Sequence, residues 1–275
     1  MFDFGLRGET WWPGDYLERA VADTTLPNIT PAMRERFRAN TFKLFGQRAE
    51  GWVSPRIGVS FAAGPSSSIF VSYGQFAQRP NPRYLYAKLQ TRSPATFQLF
   101  GNPALKPERT VAIEGGVKLL RGQDWAFTLS LYQRDIHDYI AATAVIPDPD
   151  QPENFWYAYA NHDLAQSRGA ELTIDGRYGT ALRTSAMLAF ASVKGEHSLP
   201  EDVFRGRQSR EGEVLLQEER LDWDKPWRGS LSANWSFGPD DRPRVLGLGL
   251  WNNWNLNFSF WAEAGKRYTP YTDSG

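Results

Sequence analysis

Gly101-Asn102-Pro103-Ala104-Leu105-Lys106-Pro107-Glu108-Arg109-Thr110 runs directly into Val111-Ala112-Ile113-Glu114-Gly115-Gly116-Val117-Lys118-Leu119-Leu120. The two halves obey different rules. In the first, two prolines fix φ and push the residue before each towards extended geometry, so the backbone is stiff and irregular. In the second, Val111, Ile113, Val117 and Leu119 alternate with Thr110, Glu114 and Lys118. A period of two marks a strand with one apolar face. Locally the stretch describes a rigid loop feeding a β-strand.

The alternation recurs on both sides. Phe2, Phe4 and Leu6 oppose Asp3 and Arg7, as far as Trp11-Trp12-Pro13-Gly14. Ile57, Val59 and Phe61 oppose Arg56, Gly58 and Ser60; Ile69, Val71 and Tyr73 oppose Ser72 and Gly74. Trp125, Phe127, Leu129 and Leu131 oppose Thr128, Ser130 and Tyr132; Ala170, Leu172 and Ile174 oppose Glu171, Thr173, Asp175 and Arg177. Leu182, Ala186, Leu188 and Phe190 oppose Arg183 and Ser185; Trp227, Leu231, Ala233, Trp235 and Phe237 oppose Arg228, Ser230 and Asn234; Trp254, Leu256, Phe258 and Phe260 oppose Asn255, Asn257 and Ser259. The reading is about nine strands of about 9–12 residues, against about 5–6 in soluble proteins and about 9–11 for a tilted strand crossing a bilayer.

Connector length alternates as well. Gly64-Pro65-Ser66-Ser67, Arg121-Gly122-Gln123-Asp124 and Tyr178-Gly179-Thr180 are short turns, and Gly238-Pro239 opens another. The connectors at 12–52, 77–109, 138–164 and 194–225 are long. All long loops therefore fall on one side of the sheet. In the first of them, Thr30-Pro31 predicts a capped helix over Ala32–Phe45, stopped by Gly46, with Met33, Phe37 and Phe45 buried.

Balanced charge, 31 basic against 31 acidic residues, gives no drive towards nucleic acid. Absence of cysteine rules out disulfides, cysteine-held zinc and a thiol nucleophile. No run of roughly 18 apolar residues offers a membrane-spanning helix. Nothing at the N-terminus reads as a signal peptide; the chain is expected to begin inside a strand. Charges such as Glu171, Asp175 and Arg177 on one strand suit a hydrated lumen better than a dry core. Trp11, Trp125, Trp227 and Trp235 stand near strand ends, where membrane barrels carry aromatic girdles. These features favour an all-β, partial antiparallel transmembrane β-barrel, with long extracellular loops and short periplasmic turns, over a soluble sandwich. About nine strands do not close a barrel in lipid, so residues 1–275 are expected to be one barrel segment of a longer protein.

The quoted stretch, with Glu114-Gly115-Gly116-Val117, resembles the "NPxLKPE…E-x-G" segment of TonB-dependent outer-membrane receptors. Ser54-Pro55-Arg56-Ile57-Gly58-Val59-Ser60, Tyr73-Gly74-Gln75-Phe76, and Gln78, Pro80 and Tyr84-Leu85-Tyr86 resemble family stretches. So do Tyr132-Gln133-Arg134-Asp135-Ile136-His137-Asp138-Tyr139-Ile140, Ser167-Arg168-Gly169-Ala170-Glu171-Leu172, Leu221-Asp222-Trp223-Asp224 and Tyr268-Thr269-Pro270-Tyr271-Thr272, in the family's order. The set is most similar to Oar-like receptors, which carry a carboxypeptidase-regulatory-like domain ahead of the plug. The resemblance implies a barrel of about 22 strands around a plug, in the outer membrane of a Gram-negative cell. It also implies uptake of a large scarce solute (siderophore, cobalamin, glycan or peptide class) energised through TonB. The chain departs from the family pattern in showing no plug, no TonB box and no aromatic-terminated final strand, and in Trp227 at a position where the family often has His.

The family-motif residues are Asn102, Pro103, Leu105, Lys106, Pro107 and Glu108. Tyr84, Tyr86, Phe97 and Phe100 are loop aromatics that could stack on a ligand or pack the loop on itself, packing being the simpler reading. His137, His162 and His197 are too dispersed for a shared metal site. Pro147-Asp148-Pro149-Asp150-Gln151-Pro152-Glu153 is too stiff to wrap a calcium ion. Asp222 and Asp224 could pair as acid and base, but no nucleophile or histidine accompanies them. Ser66-Ser67-Ser68 lacks the glycines of a nucleophile elbow. No enzyme, metal or cofactor is implied. The expected partners are outer-membrane lipid, a plug domain, the TonB system and an unknown solute. The alternative role is an adhesion or structural barrel whose loops bind a surface or matrix partner.

Overall fold

A computed structural model describes residues 1–91, 98–147, 150, 154–202, 204–205, 219–239, 244–245, 248–249 and 253–265. In chain order the elements are β1 (Phe2–Trp11), α1 (Asp15–Ala22), α2 (Pro31–Asn40), β2 (Phe42–Leu44), β3 (Gln47–Gly64), β4 (Ser67–Gln78), α3 (Pro82–Tyr86) and β5 (Leu99–Phe100). There follow β6 (Glu108–Arg121), β7 (Trp125–Val145), β8 (Trp156–Tyr178), β9 (Leu182–Gly195), β10 (Glu219–Arg220), β11 (Trp227–Phe237), β12 (Arg244–Val245), β13 (Leu248–Gly249) and β14 (Trp254–Glu263).

The wall is an up-and-down antiparallel sheet in the order β1-β3-β4-β6-β7-β8-β9-β11-β14, with β2, β5 and β10 added on the loop side. It is open, since β1 and β14 stand at opposite ends of the path. Its two faces have opposite chemistry. Phe4 is 72% exposed and Phe258 53%; Phe61, Leu129, Leu172, Leu188 and Leu231 are exposed on the same face. Asp3, Arg56, Glu114, Glu171 and Arg177 occupy the other. Apolar side chains point out and charged ones line the concave side, the reverse of a water-soluble protein.

The register shows how this apolar belt runs. One row joins Phe2, Val59, Val71, Gly115, Leu131, Ala170, Phe190 and Trp227 across eight strands. Phe2 is the turn-side end of the run Phe2-Phe4-Leu6, whereas Trp227 is the loop-side end of the run from Trp227 to Trp235. The run centres, Phe4 and Leu231, lie two residues above the row and four below it, a slip of six residues over seven interstrand steps. At about 3.3 Å per residue and about 4.8 Å per strand this is about 20 Å against about 34 Å, which tilts the strands about 30° from the belt normal. Membrane barrels tilt their strands by a similar angle. On the turn side the belt ends in Trp125 against Tyr178 (ring centroids 5.1 Å) and Trp235, Phe237 and Trp254 (4.7–6.4 Å). On the loop side it ends in Phe190 and Trp227. Trp11, expected in this girdle, instead packs inward against the loop core, with the Arg79 guanidinium 5.6 Å from its ring.

Two sequence expectations need correction. The helix capped by Thr30 forms, and Thr30 Oγ1 accepts from Met33 N at 3.2 Å, but it stops at Asn40. Phe42–Leu44 instead pairs back on Gln47–Ala49. Phe45 (φ 52) and Gly46 (φ 83) form the tight turn between them, with the positive φ at both positions that a type I′ two-residue hairpin needs. Met33 and Phe37 are buried as expected, but Phe45 is 91% exposed. Second, the connector placed at 138–164 is mostly strand: β7 has 21 residues and β8 23. A bulge between Ile136 and Ile140, with Asp138 at φ 58, shifts the register and lets the ladder continue. Above it Ile140, Ala141, Ala142 and Trp156–Tyr159 are all buried, so the period-two signal disappears.

The only extensive dry cores among the described residues lie in the loops. Leu17, Ala20 and Val21 of α1, Leu26, Ile29, and Met33 and Phe37 of α2 close over Leu89, Ala104 and Ala158. Buried Arg34 donates to the carbonyls of Ala20, Val21 and Leu26, satisfying the end of α1 that has no intrahelical partner.

Candidate functional site

The proline-rich motif is a brace beneath this loop cap. Asn81 caps α3, its side chain accepting from Arg83 N, and Pro82 occupies the first turn. The chain returns so closely past α3 that Gly101 N donates to Ala87 O (2.7 Å) and Asn102 N to Tyr84 O (2.8 Å). A Cβ on Gly101 would stand 2.7 Å from Ala87 N and Leu85 O, so only glycine fits. Buried Asn102 then bridges two segments. Its Nδ2 donates to Tyr159 O (2.7 Å) and its Oδ1 accepts from Ala104 N (2.9 Å), the second bond being an Asx turn.

Pro103 and Pro107 are buried, and Leu105 packs with Leu85, Ile140 and Tyr159. Lys106 turns its side chain outward while its backbone is gripped from both sides: its N–H donates to Asn161 Oδ1 (2.8 Å), and Asn161 Nδ2 donates to its carbonyl (3.0 Å). Glu108 Oε1 accepts from Ile140 N (3.0 Å), holding the start of β6 to the bulge in β7. Burial raises the Glu108 carboxyl, opposed by that N–H and by His197. The six motif residues thus come together, and what they hold is the raised end of the β7–β8 hairpin.

The loop aromatics occupy different places. The Tyr84 ring lies 4.6 Å from that of Tyr159. Tyr86 OH donates to Pro13 O (2.7 Å). Phe100 is fully buried. Phe97 lies outside the described residues.

Sequence reasoning missed the partners that make the cap one body. Tyr159 OH donates to Glu201 Oε1 (2.8 Å), which Arg83 approaches at 3.4 Å, so three connectors meet at one carboxylate. Burial and Glu201 raise the Tyr159 phenol; burial, with Glu108 next, pushes Tyr139 up to about 12. Glu50, 6% exposed, is pushed by burial up to about 7 against the pull of Lys106. The Tyr159–Glu201 and Arg83–Glu201 contacts join residues 42 or more positions apart, and no local pattern in the sequence marks them.

Asp222 and Asp224 are not an acid–base pair. Fully buried Asp224 accepts from Val193 N (2.9 Å) and Arg220 Nη1 (3.3 Å), and Asp222 N donates to Ser198 Oγ (2.8 Å). They tie the last long connector to β9. His197 stacks on Tyr139 (5.0 Å) with Nε2 3.1 Å from Ile140 O, whereas His137 and His162 line a separate recess that His197 does not enter. Among the described residues no group of three His, Asp or Glu is arranged to hold a metal. Asp148, Pro149 and Gln151–Glu153 of the acidic run lie outside the described residues.

Below the cap the concave wall carries a trough of about 790 Å³. Gly74, Ala112 and Ser72 form its floor, and Trp223 reaches it from the LDWD connector. Arg56 lies 4.5 Å from the Phe76 ring and Arg134 4.9 Å from the Tyr132 ring, with Asp3 and Glu114 beside them. The trough offers aromatic faces and both signs of charge to whatever fills the lumen.

Residues 3–275 match the protein family described as TonB dependent receptor-like, beta-barrel. No curated protein sequence matches. Among solved structures, the alcaligin outer-membrane receptor FauA from Bordetella pertussis is similar over 82% of this chain and 32% of its own, at 13% identity and TM-score 0.47. The pyoverdine outer-membrane receptor FpvA from Pseudomonas aeruginosa PAO1 is similar over 70% and 24%, at 15% identity and TM-score 0.47. The siderophore receptor PirA from Pseudomonas aeruginosa is similar over 68% and 31%, at 17% identity and TM-score 0.43. The chain thus spans a quarter to a third of the length of these structures.

Proposed function

Since the chain belongs to the TonB-dependent receptor β-barrel family, we propose that it is a wall segment of an outer-membrane receptor for energised uptake of a large, scarce solute. The observation that carries this reading is the slanted apolar belt backed by a charged concave face, which suits lipid outside and water or a plug inside. In this reading the braced loops hold the extracellular mouth in a fixed shape, and the trough between Arg56 and Arg134 faces what moves through the lumen. The plug and the coupling to TonB come from the rest of the protein. The motif set favours the Oar-like subtype, with a regulatory-like domain ahead of the plug. A receptor role, not catalysis, fits a cap in which the buried carboxylates of Glu201 and Asp224 are spent on Tyr159, Arg83, the Val193 N–H and Arg220 as ties between connectors.

The test is deletion of the full-length gene, followed by growth on limiting iron, cobalamin, glycan or peptide sources. One source should be lost, and its uptake should stop in a TonB-null strain or under a protonophore. Recovery of the protein in the soluble fraction, or uptake indifferent to both treatments, would overturn the reading.

A further inference from the structure

Two register rows on the concave wall carry charge in a repeating order. The loop-side row runs Gly5, Arg56, Gly74, Ala112 and Arg134 on β1, β3, β4, β6 and β7. The row beneath it runs Asp3, Gly58, Ser72, Glu114 and Tyr132 on the same strands. Arg56 is therefore the diagonal neighbour of Asp3, and Arg134 of Glu114, about 7–8 Å away at the backbone. Neither diagonal closes: among the described residues no ion pair involves any of the four. The arginines lean on rings instead, Arg56 4.5 Å from that of Phe76 and Arg134 4.9 Å from that of Tyr132. Two glycines let those rings lie down on the wall. A Cβ on Gly74 would stand 3.1 Å from the Phe76 ring, and one on Gly169 2.5 Å from that of Tyr132. A stacked guanidinium keeps the N–H groups of its edge free for a carboxylate. Trp223, hydrogen-bonded to Tyr139, reaches the trough from the loop side, and its floor between the charges is only Ser72, Gly74 and Ala112.

We propose that the trough binds a short peptide with free termini, its carboxylate on Arg56 and its ammonium on Glu114. A solute of one sign would meet an opposing charge in one of the two rows, and a neutral one would leave all four charges unanswered, so the ligand must bring both signs. Arg56 and Glu114 stand on either side of β4, two interstrand steps and one row apart. That is about 10 Å across and about 7 Å along the strands, or about 12 Å between backbones. At about 3.5 Å per residue a tripeptide spans it, with its backbone over Ser72 and Gly74. Asp3 and Arg134 lie just beyond its two ends, where they suit a basic side chain at the C-terminus and an acidic one at the N-terminus. The inference rests on the receptor reading above and names the class of its solute.

The full-length protein in detergent is titrated calorimetrically with glutamyl-alanyl-lysine, with its N-acetyl and C-amide forms, and with the reversed sequence lysyl-alanyl-glutamic acid. Wild type should bind the free peptide, and each blocked form and the reversed sequence at least about tenfold more weakly. Glu114→Gln should abolish discrimination against the acetyl form alone, and Arg56→Gln against the amide alone. Arg183→Gln, on the concave face of β9 outside the trough, should change neither. No binding of the free peptide, equal binding of free and blocked forms, or equal losses with Arg183→Gln would each overturn the proposal. The comparison of free with blocked peptides needs wild type alone, so it decides even where a variant does not fold. If the deletion strain in such a case still loses TonB-dependent uptake of another solute, the peptide site fails, the trough packs against the plug, and the receptor reading stands; uptake indifferent to TonB ends both.

Discussion

Replacing Asn102 by alanine should release the raised β7–β8 hairpin without disturbing the wall. The substitution removes the donor to Tyr159 O and the acceptor for Ala104 N, at 2.7 and 2.9 Å. Both backbone groups are buried and would be left unpaired. Each such group costs about 1–3 kcal/mol, so the local penalty should be about 2–5 kcal/mol. At about 1.36 kcal/mol per factor of ten, amide exchange should quicken roughly 30-fold to several thousand-fold. The assay is hydrogen exchange on the full-length protein, read over residues 101–108, 139–142 and 157–161. Amides of the belt, such as those of Val117, Leu129 and Leu172, should not change, because their ladder partners lie in other strands of the wall. Less than threefold acceleration around Asn102, or equal acceleration in the belt, would refute the assignment of the motif as a local brace.

Three further outcomes follow from the same geometry. Gly101→Ala places a methyl 2.7 Å from backbone atoms of Ala87 and Leu85, and should loosen the cap by several kcal/mol, more than Gly122→Ala in the open turn, where strain costs about 1 kcal/mol; thermal melts of the two variants check the order. Glu50 has a raised carboxyl pKa, so it favours the folded cap below its ordinary value near 4.5, and that contribution is lost as pH rises through about 7; Glu50→Gln should therefore match wild type at pH 4 and exceed it by up to about 3 kcal/mol at pH 8.5, as read by exchange of the loop amides. Leu172→Arg on the belt should cost about 2–4 kcal/mol of vesicle folding stability, whereas Thr173→Arg on the concave face should cost far less, as read by urea titration in vesicles.

Where apolar and polar residues alternate, the strands were legible without coordinates. Phe127, Leu172, Leu231 and Phe258 sort to one face on parity alone, and Glu171 and Arg177 to the other. The motif residues were legible as a unit by their wording, and two prolines do predict a stiff approach to β6. Failure came where two faces are buried at once, as at Ile140–Ala142 and Trp156–Tyr159, because no alternation is left to read. It came again at Phe45-Gly46, where a glycine that could stop a helix turns a hairpin. Asn161, Glu201 and Arg34 gave no signal, because a polar residue in a connector looks the same whether it meets water or a distant backbone.

Parity along each strand, and with it the choice of side chains for hydrocarbon or for water, was settled by residue order, because successive side chains of an extended chain must point opposite ways. Register was not, because a strand keeps its parity when it slides by two residues against its neighbour. The slip of the belt across the wall, its tilt of about 30°, and the arrival of Arg56 and Arg134 on one row depend on that sliding distance. So does the cap, whose bonds link residues brought together only when the hairpins stand side by side.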